Sequence, residues 1–153
     1  MNTVNIHATC IAIGGNGVLI LGNSGAGKSD LALRLIDDGA KLVADDRTEL
    51  YVVRGRLCAR APKSIAGLIE VRGLGIVALP FAKNAPLVLA VKLQKPRTRL
   101  PEPEFYTPPA PLKVSKSLPF IMLDGAAPSA PTRIRVAVTA FTKGLFRGDF
   151  NPT

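Results

Sequence analysis

Apolar and polar residues alternate through "VNIHATCIAI" (4–13), a period of two that predicts a strand. After the turn "GGN" (14–16), the run "GVLILG" (17–22) reads as a short buried strand, so the two form a hairpin. The period then changes. Leu31, Ala32, Leu35 and Ile36 recur at helical spacing until Gly39, a residue suited to ending a helix. "KLVADD" (41–46) returns to strand, "TELYVVRGRLCARA" (48–61) predicts a second hairpin turning at Gly55, and "LIEV" (68–71) and "LVLAVKL" (87–93) predict further strands. Residues 95–119 hold 7 of the 13 prolines, which excludes helix interior and central strand and predicts a long ordered loop or a mobile lid. "LPFIMLD" (118–124) resumes as strand. Pro131 suits the first position of a helix that runs through "TRIRVAVTAFTKG" to Gly144.

This order predicts an α/β fold with a mixed, mostly β core and few helices. At 153 residues and 47% hydrophobic, one domain spanning 1–153 is expected, with no internal repeat. Cys10 and Cys58 are too few for a disulfide scaffold or a zinc site, which favours a reducing compartment, the cytoplasm. There is no run of membrane-spanning length and no secretory layout at the N-terminus, so no membrane association is expected. The net charge of +9 is local: residues 1–50 carry −2, 51–100 carry +9 and 101–153 carry +2. A basic middle third suits a protein partner or bound phosphates. Tyr51 is the only aromatic residue from 51 to 80, so base stacking has little to work with and no nucleic acid is expected.

"GNSGAGKS" (22–29) places Gly22, four residues, then Gly27, Lys28 and Ser29 between a buried-type strand and an amphipathic helix. This phosphate-loop pattern lets backbone N–H groups and a helix N-terminus surround an anion. Gly22, Asn23, Ser24, Gly25, Ala26, Gly27, Lys28 and Ser29 are therefore the candidate nucleotide-binding residues. Lys28 would neutralise the terminal phosphates, and Ser29 would offer an oxygen to Mg²⁺.

Phosphoryl transfer to an alcohol also needs a proton acceptor and carboxylates for the metal. Asp45 and Asp46 end the strand after the loop and helix, where ligands sit in doubly wound sheets, and neighbours on an extended strand would face opposite ways. Glu70 is the only acid between Glu49 and Glu102, in basic and apolar surroundings. It is expected to be buried and to need a cation, either a metal or an arginine such as Arg72.

"GNSGAGKS" (22–29), "LVADD" (42–46) and "IEVRGLGI" (69–76) occur here in the order found in the bacterial HPr kinase/phosphorylases, and the chain resembles that family from His7 to about Ala78. The resemblance implies a P-loop kinase domain similar to the nucleotide-binding core of phosphoenolpyruvate carboxykinases. It implies ATP and Mg²⁺ as cofactors and a serine hydroxyl of the phosphocarrier HPr as acceptor. Asp46 matches the proton acceptor, Lys28 the loop lysine, and Ser29 and Glu70 the magnesium ligands. His7 matches a histidine counted with the active site, and Arg99 an active-site arginine, with Arg97 as the alternative.

The chain is similar to the short, kinase-domain-only forms found among alphaproteobacteria. A homohexamer is implied. Where the family carries an Arg-, Pro- and Gly-rich segment linked to dephosphorylation, this chain has "DGAAPSAPTRIR" (124–135), so phosphorolysis is not expected. Two other readings stay open on the residues alone: a nucleotide-sensing module without transferase activity, and a small-molecule P-loop kinase.

Overall fold

A computed structural model describes residues 1–147. Eleven strands and two α-helices occur among the described residues, in the order β1 (Val4–His7), β2 (Thr9–Ile13), β3 (Asn16–Leu21), α1 (Lys28–Asp37), β4 (Lys41–Ala44), β5 (Arg47–Val53), β6 (Arg56–Arg60), β7 (Leu68–Val71), β8 (Gly75–Ala78), β9 (Ala85–Leu93), β10 (Glu104–Phe105), β11 (Pro119–Leu123) and α2 (Ala130–Lys143). The expected mixed, strand-rich α/β architecture is the one observed.

Sheet direction decides which loops can meet. The main path runs β1-β5-β6-β9-β3-β2-β4. β2 is antiparallel to both β3 and β4, so β3 and β4 run the same way and their C-terminal ends lie at one edge of the sheet. Parallel partners β9 and β11 extend that order on the other side of β3. The glycine-rich loop after β3 and the two aspartates after β4 therefore emerge together.

The predicted strand over 4–13 is two strands. β2 pairs with β3 as the expected hairpin, whereas β1 swings away to pair with β5, His7 lying opposite Arg47. The break falls at Ala8, whose N–H donates to the Asp46 carbonyl at 3.1 Å. The β5–β6 hairpin turns at Arg54 and Gly55, both with positive φ (52° and 78°), as a tight two-residue turn between twisted strands requires.

Alternation along the strands divides the core in two. Ile11, Val18, Ile20 and Val91 face Leu31 and Leu35 of α1 and Ile134 and Val138 of α2. Cys10, Leu19, Leu50, Leu57 and Ala90 face the other way, and Leu112 and Leu118 of the proline-rich segment cover them. Residues 95–119 thus include a strap over the sheet rather than a lid. Tyr106 N–H donates to Leu118 O at 2.8 Å, and Ser115 and Lys116 donate to Gly55 O at 2.9 and 3.1 Å.

Both helices end as the sequence leads one to expect. Gly39 and Ala40 donate back to Ile36 and Leu35, closing α1 through the left-handed Gly39, and Gly144 (φ 65°) caps α2. α2 begins one residue before Pro131, with Ser129 as its N-cap. Arg135 on α2 donates to the carbonyls of Leu35 and Asp38 at the end of α1 and so ties the two helices together.

Candidate active site

The glycine-rich loop leaves β3 at Leu21 and enters α1 directly at Lys28. Gly25 (φ 82°) and Gly27 (φ 95°) make the left-handed turns that so short a connection demands. A cleft of about 460 Å³ opens over the helix N-terminus, lined by Ser24, Gly25, Gly27, Lys28 and Ser29 on one side. Exposed N–H groups and the positive end of α1 suit an anion here. Lys28 is buried, and its ammonium donates to the carbonyls of Gly22 at 2.9 Å and Asn23 at 3.1 Å. In this state the lysine closes its own loop.

Across the cleft stand His7, Asp46, Glu70 and Arg72. Asp45 and Asp46 point differently, although not through strand alternation, because β4 stops at Ala44 and a tight turn follows. Arg47 N–H donates to Asp45 O at 2.7 Å, and Asp46 between them takes φ 67°. Positive φ in a non-glycine residue is strained, and aspartate is among the few that tolerate it. The turn sends Asp45 inward and Asp46 outward.

Asp45 is buried and fully engaged. Its Oδ1 accepts from Ser29 Oγ at 2.6 Å and Thr9 Oγ1 at 3.1 Å, and its Oδ2 accepts the Glu70 backbone N–H at 3.3 Å. One carboxylate thus binds β2, α1 and β7 together. Asp46 is 70% exposed at the cleft rim and meets His7 Nε2 at 2.9 Å. An ionised carboxylate only accepts, so His7 Nε2 carries the hydrogen when Asp46 is charged.

Of the residues singled out in the sequence, His7, Ser24, Gly25, Gly27, Lys28, Ser29, Asp46 and Glu70 line one cleft. Gly22 and Asn23 hold Lys28 from behind, and Ala26 closes the loop by donating to Asn23 O at 3.0 Å. Arg99 and Arg97 lie exposed between β9 and β10 and do not line the cleft. Glu70 is exposed rather than buried, because β7 and β8 form a separate two-stranded hairpin with one face in solvent. No ion pair joins Glu70 to Arg72 among the described residues. Arg72 lines the cleft, where the sequence offered it only as a partner for Glu70; Asp45 is buried off the cleft lining, and its pairing with Ser29 spans a separation of 16 residues and leaves no local pattern.

Oxygen donors dominate the site. Ser29 Oγ and Glu70 are the oxygen donors at the cleft that could hold Mg²⁺, an ion that binds through one or two carboxylates together with substrate phosphates. No cluster of three or more His, Cys, Asp or Glu side chains of metal-holding geometry occurs among the described residues. No helix among them is long and apolar enough to cross a membrane.

On this α/β domain a glycine loop at a helix N-terminus faces carboxylates across one cleft, an arrangement suited to an anion such as phosphate. The family model described as "HPr Serine kinase C-terminal domain" matches residues 1–84, and the chain belongs to this family. It is 41% identical over 87 residues to the HPr kinase/phosphorylase of Clostridium tetani, a match covering 57% of this chain and 28% of that protein. It is 40% identical over 104 residues to the HPr kinase/phosphorylase of Brevibacillus brevis, covering 61% and 33%. The chain thus spans a third or less of these curated relatives. Its fold is similar over 93% of its length to the solved Hpr(Ser) kinase/phosphatase from Coxiella burnetii, with a TM-score of 0.75, 27% identity and 92% of that chain covered.

Proposed function

We propose that this chain is an ATP-dependent protein serine kinase acting on an HPr-type phosphocarrier. The observation that carries this reading is the shared cleft: the Asp46 carboxylate opens onto the same space as Lys28, Ser29 and the loop N–H groups. A hydroxyl entering there meets a proton acceptor on one side and a phosphate cradle on the other.

In this reading the glycine loop takes the β- and γ-phosphates, and Lys28 exchanges the carbonyls of Gly22 and Asn23 for phosphate oxygens. Ser29, oriented by Asp45, and Glu70 would hold Mg²⁺, which when bound neutralises charge on the phosphates. The serine oxygen forms a bond to the γ-phosphorus as the bond from that phosphorus to the β,γ-bridging oxygen breaks. ADP leaves, and the hydroxyl proton passes to Asp46. His7 keeps the Asp46 carboxylate turned towards the cleft. Most of the rate enhancement then comes from position and fixed charge, with proton transfer contributing less.

An acceptor of protein size is supported by the β7–β8 hairpin at the cleft mouth, where Leu74 is 74% and Ile76 73% exposed. Neighbouring apolar side chains of this size suit a docking surface. The family resemblance extends the reading to a cytoplasmic homohexamer that uses ATP and Mg²⁺, and the domain is read as one unit. Incubating the purified chain with labelled ATP, Mg²⁺ and an HPr-type phosphocarrier tests it. Label should enter the carrier; label reaching only water or a small metabolite would overturn the reading.

A further inference from the structure

Six ionisable side chains line the cleft: His7, Lys28, Asp30, Asp46, Glu70 and Arg72. Four are satisfied within the protein. His7 and Asp46 bind one another, Lys28 is held by loop carbonyls, and Asp30 pairs with Arg34 at 3.1 Å. Glu70 and Arg72 are left: among the described residues neither side chain has a protein partner, and although they lie two residues apart they do not pair with each other. Two opposite charges that border one space and ignore each other leave their bonding capacity to whatever fills that space.

The root of Arg72 is fixed. Leu74 N–H donates to Val71 O at 3.0 Å and Gly73 takes φ 81°, so Arg72 occupies the second position of a tight turn whose third position needs glycine. β7, which leads into that turn, is anchored by fully buried Ile69 and by the hydrogen bond of the Glu70 N–H to Asp45, the carboxylate that also holds Ser29. The guanidinium therefore hangs from a backbone tied to the phosphate end of the cleft. Arg99 and Arg97 have no such placement.

We propose that Arg72 binds the γ-phosphoryl group of the nucleotide, its guanidinium donating to oxygens of the group being transferred. This rests on the kinase reading for its consequence in turnover, though not for its consequence in binding. A planar fork of donors matches two phosphate oxygens at once, which a lysine ammonium does not. Charge on those oxygens during transfer is then shared between Lys28 on the loop side and Arg72 on the hairpin side.

The test compares wild type, Arg72→Ala and Arg72→Lys by calorimetric titration with Mg²⁺-ADP and with a Mg²⁺-bound β,γ-imido ATP analogue. Turnover onto an HPr-type phosphocarrier is measured in parallel. Arg72→Ala should abolish a preference of about tenfold or more for the analogue over ADP while leaving ADP affinity unchanged. Turnover at saturating substrates should fall about a hundredfold or more, and Arg72→Lys should recover only part of either effect. Equal loss for both nucleotides, or no loss, would overturn the proposal, as would a wild type that shows no preference for the γ-phosphate. Failure of wild type to phosphorylate the carrier would sink the kinase reading instead, with the γ-phosphate preference still deciding the role of Arg72.

Discussion

His7 Nε2 and Asp46 Oδ1 lie 2.9 Å apart although 39 residues separate them in the chain, and a strained turn brings them together. Asp46 reaches the cleft only because its backbone adopts φ 67°, with Ala8 N–H holding its carbonyl and Arg47 N–H closing the turn. Orientation and strain therefore separate experimentally. Asp46→Asn should lower phosphoryl transfer by about 10²-fold or more with nucleotide affinity retained. Asp46→Gly should be equally inactive yet melt at a higher temperature than Asp46→Asn, since glycine takes positive φ without cost. Paired kinetic and thermal measurements check this; an active glycine variant would contradict it.

Asp45 should behave in the opposite way. Replacing it by alanine strips partners from Thr9, Ser29 and the Glu70 N–H, and a buried group left unsatisfied costs about 1–3 kcal/mol. Denaturant titration of Asp45→Ala should show that loss, and Mg²⁺ should no longer strengthen nucleotide binding. Full stability in the variant would mean that these hydrogen bonds contribute little.

The proline-rich strap is expected to be structural. Leu112 and Leu118 cover the second core, and Leu118→Ala should destabilise by about 2–5 kcal/mol. Chemical unfolding measures this. An unchanged midpoint would indicate that the segment merely lies on the sheet.

Burial pushes the Cys10 thiol far up, and burial raises Cys58 as well. A thiol whose folded pKa is raised contributes stability fully below its unfolded pKa, about 8.5, and loses that contribution as pH climbs through the window above it. Unfolding free energy should therefore fall from about pH 8.5 upward, and Cys10→Ala should flatten the slope. At neutral pH neither thiol should react with iodoacetamide until the chain unfolds. Rapid labelling of Cys10 in the folded protein would contradict its burial.

Leu74→Ser with Ile76→Ser should raise KM for the phosphocarrier about tenfold or more, because serine buries far less apolar surface against the carrier, and should leave KM for ATP unchanged. Steady-state kinetics in both substrates distinguishes the two. Equal shifts would place the hairpin at the nucleotide instead.

Local chemistry explains what the sequence disclosed. Gly25, Gly27 and Lys28 sit between a buried strand and an amphipathic helix, and each of those features is written within a few residues. The linkage of Asp45 to Ser29 was not legible, because it depends on β2 running antiparallel to both β3 and β4. Leu112 and Leu118 give no periodic signal, since a strap buries side chains wherever it crosses the sheet. β8 is hard to see in the sequence because Gly75, Ile76 and Ala78 are exposed and its pairing with β7 is isolated from the main sheet. Arg99 rests on resemblance alone, and chain geometry leaves it outside the cleft.

Mass spectrometry of an HPr-type phosphocarrier after a single turnover with ATP and Mg²⁺ bears on the whole scheme at once. Wild-type protein should leave one phosphoserine on the carrier, and Asp46→Asn should leave about a hundredth as much in the same time. Equal phosphoserine from the two proteins, or phosphate found on histidine alone, would contradict it.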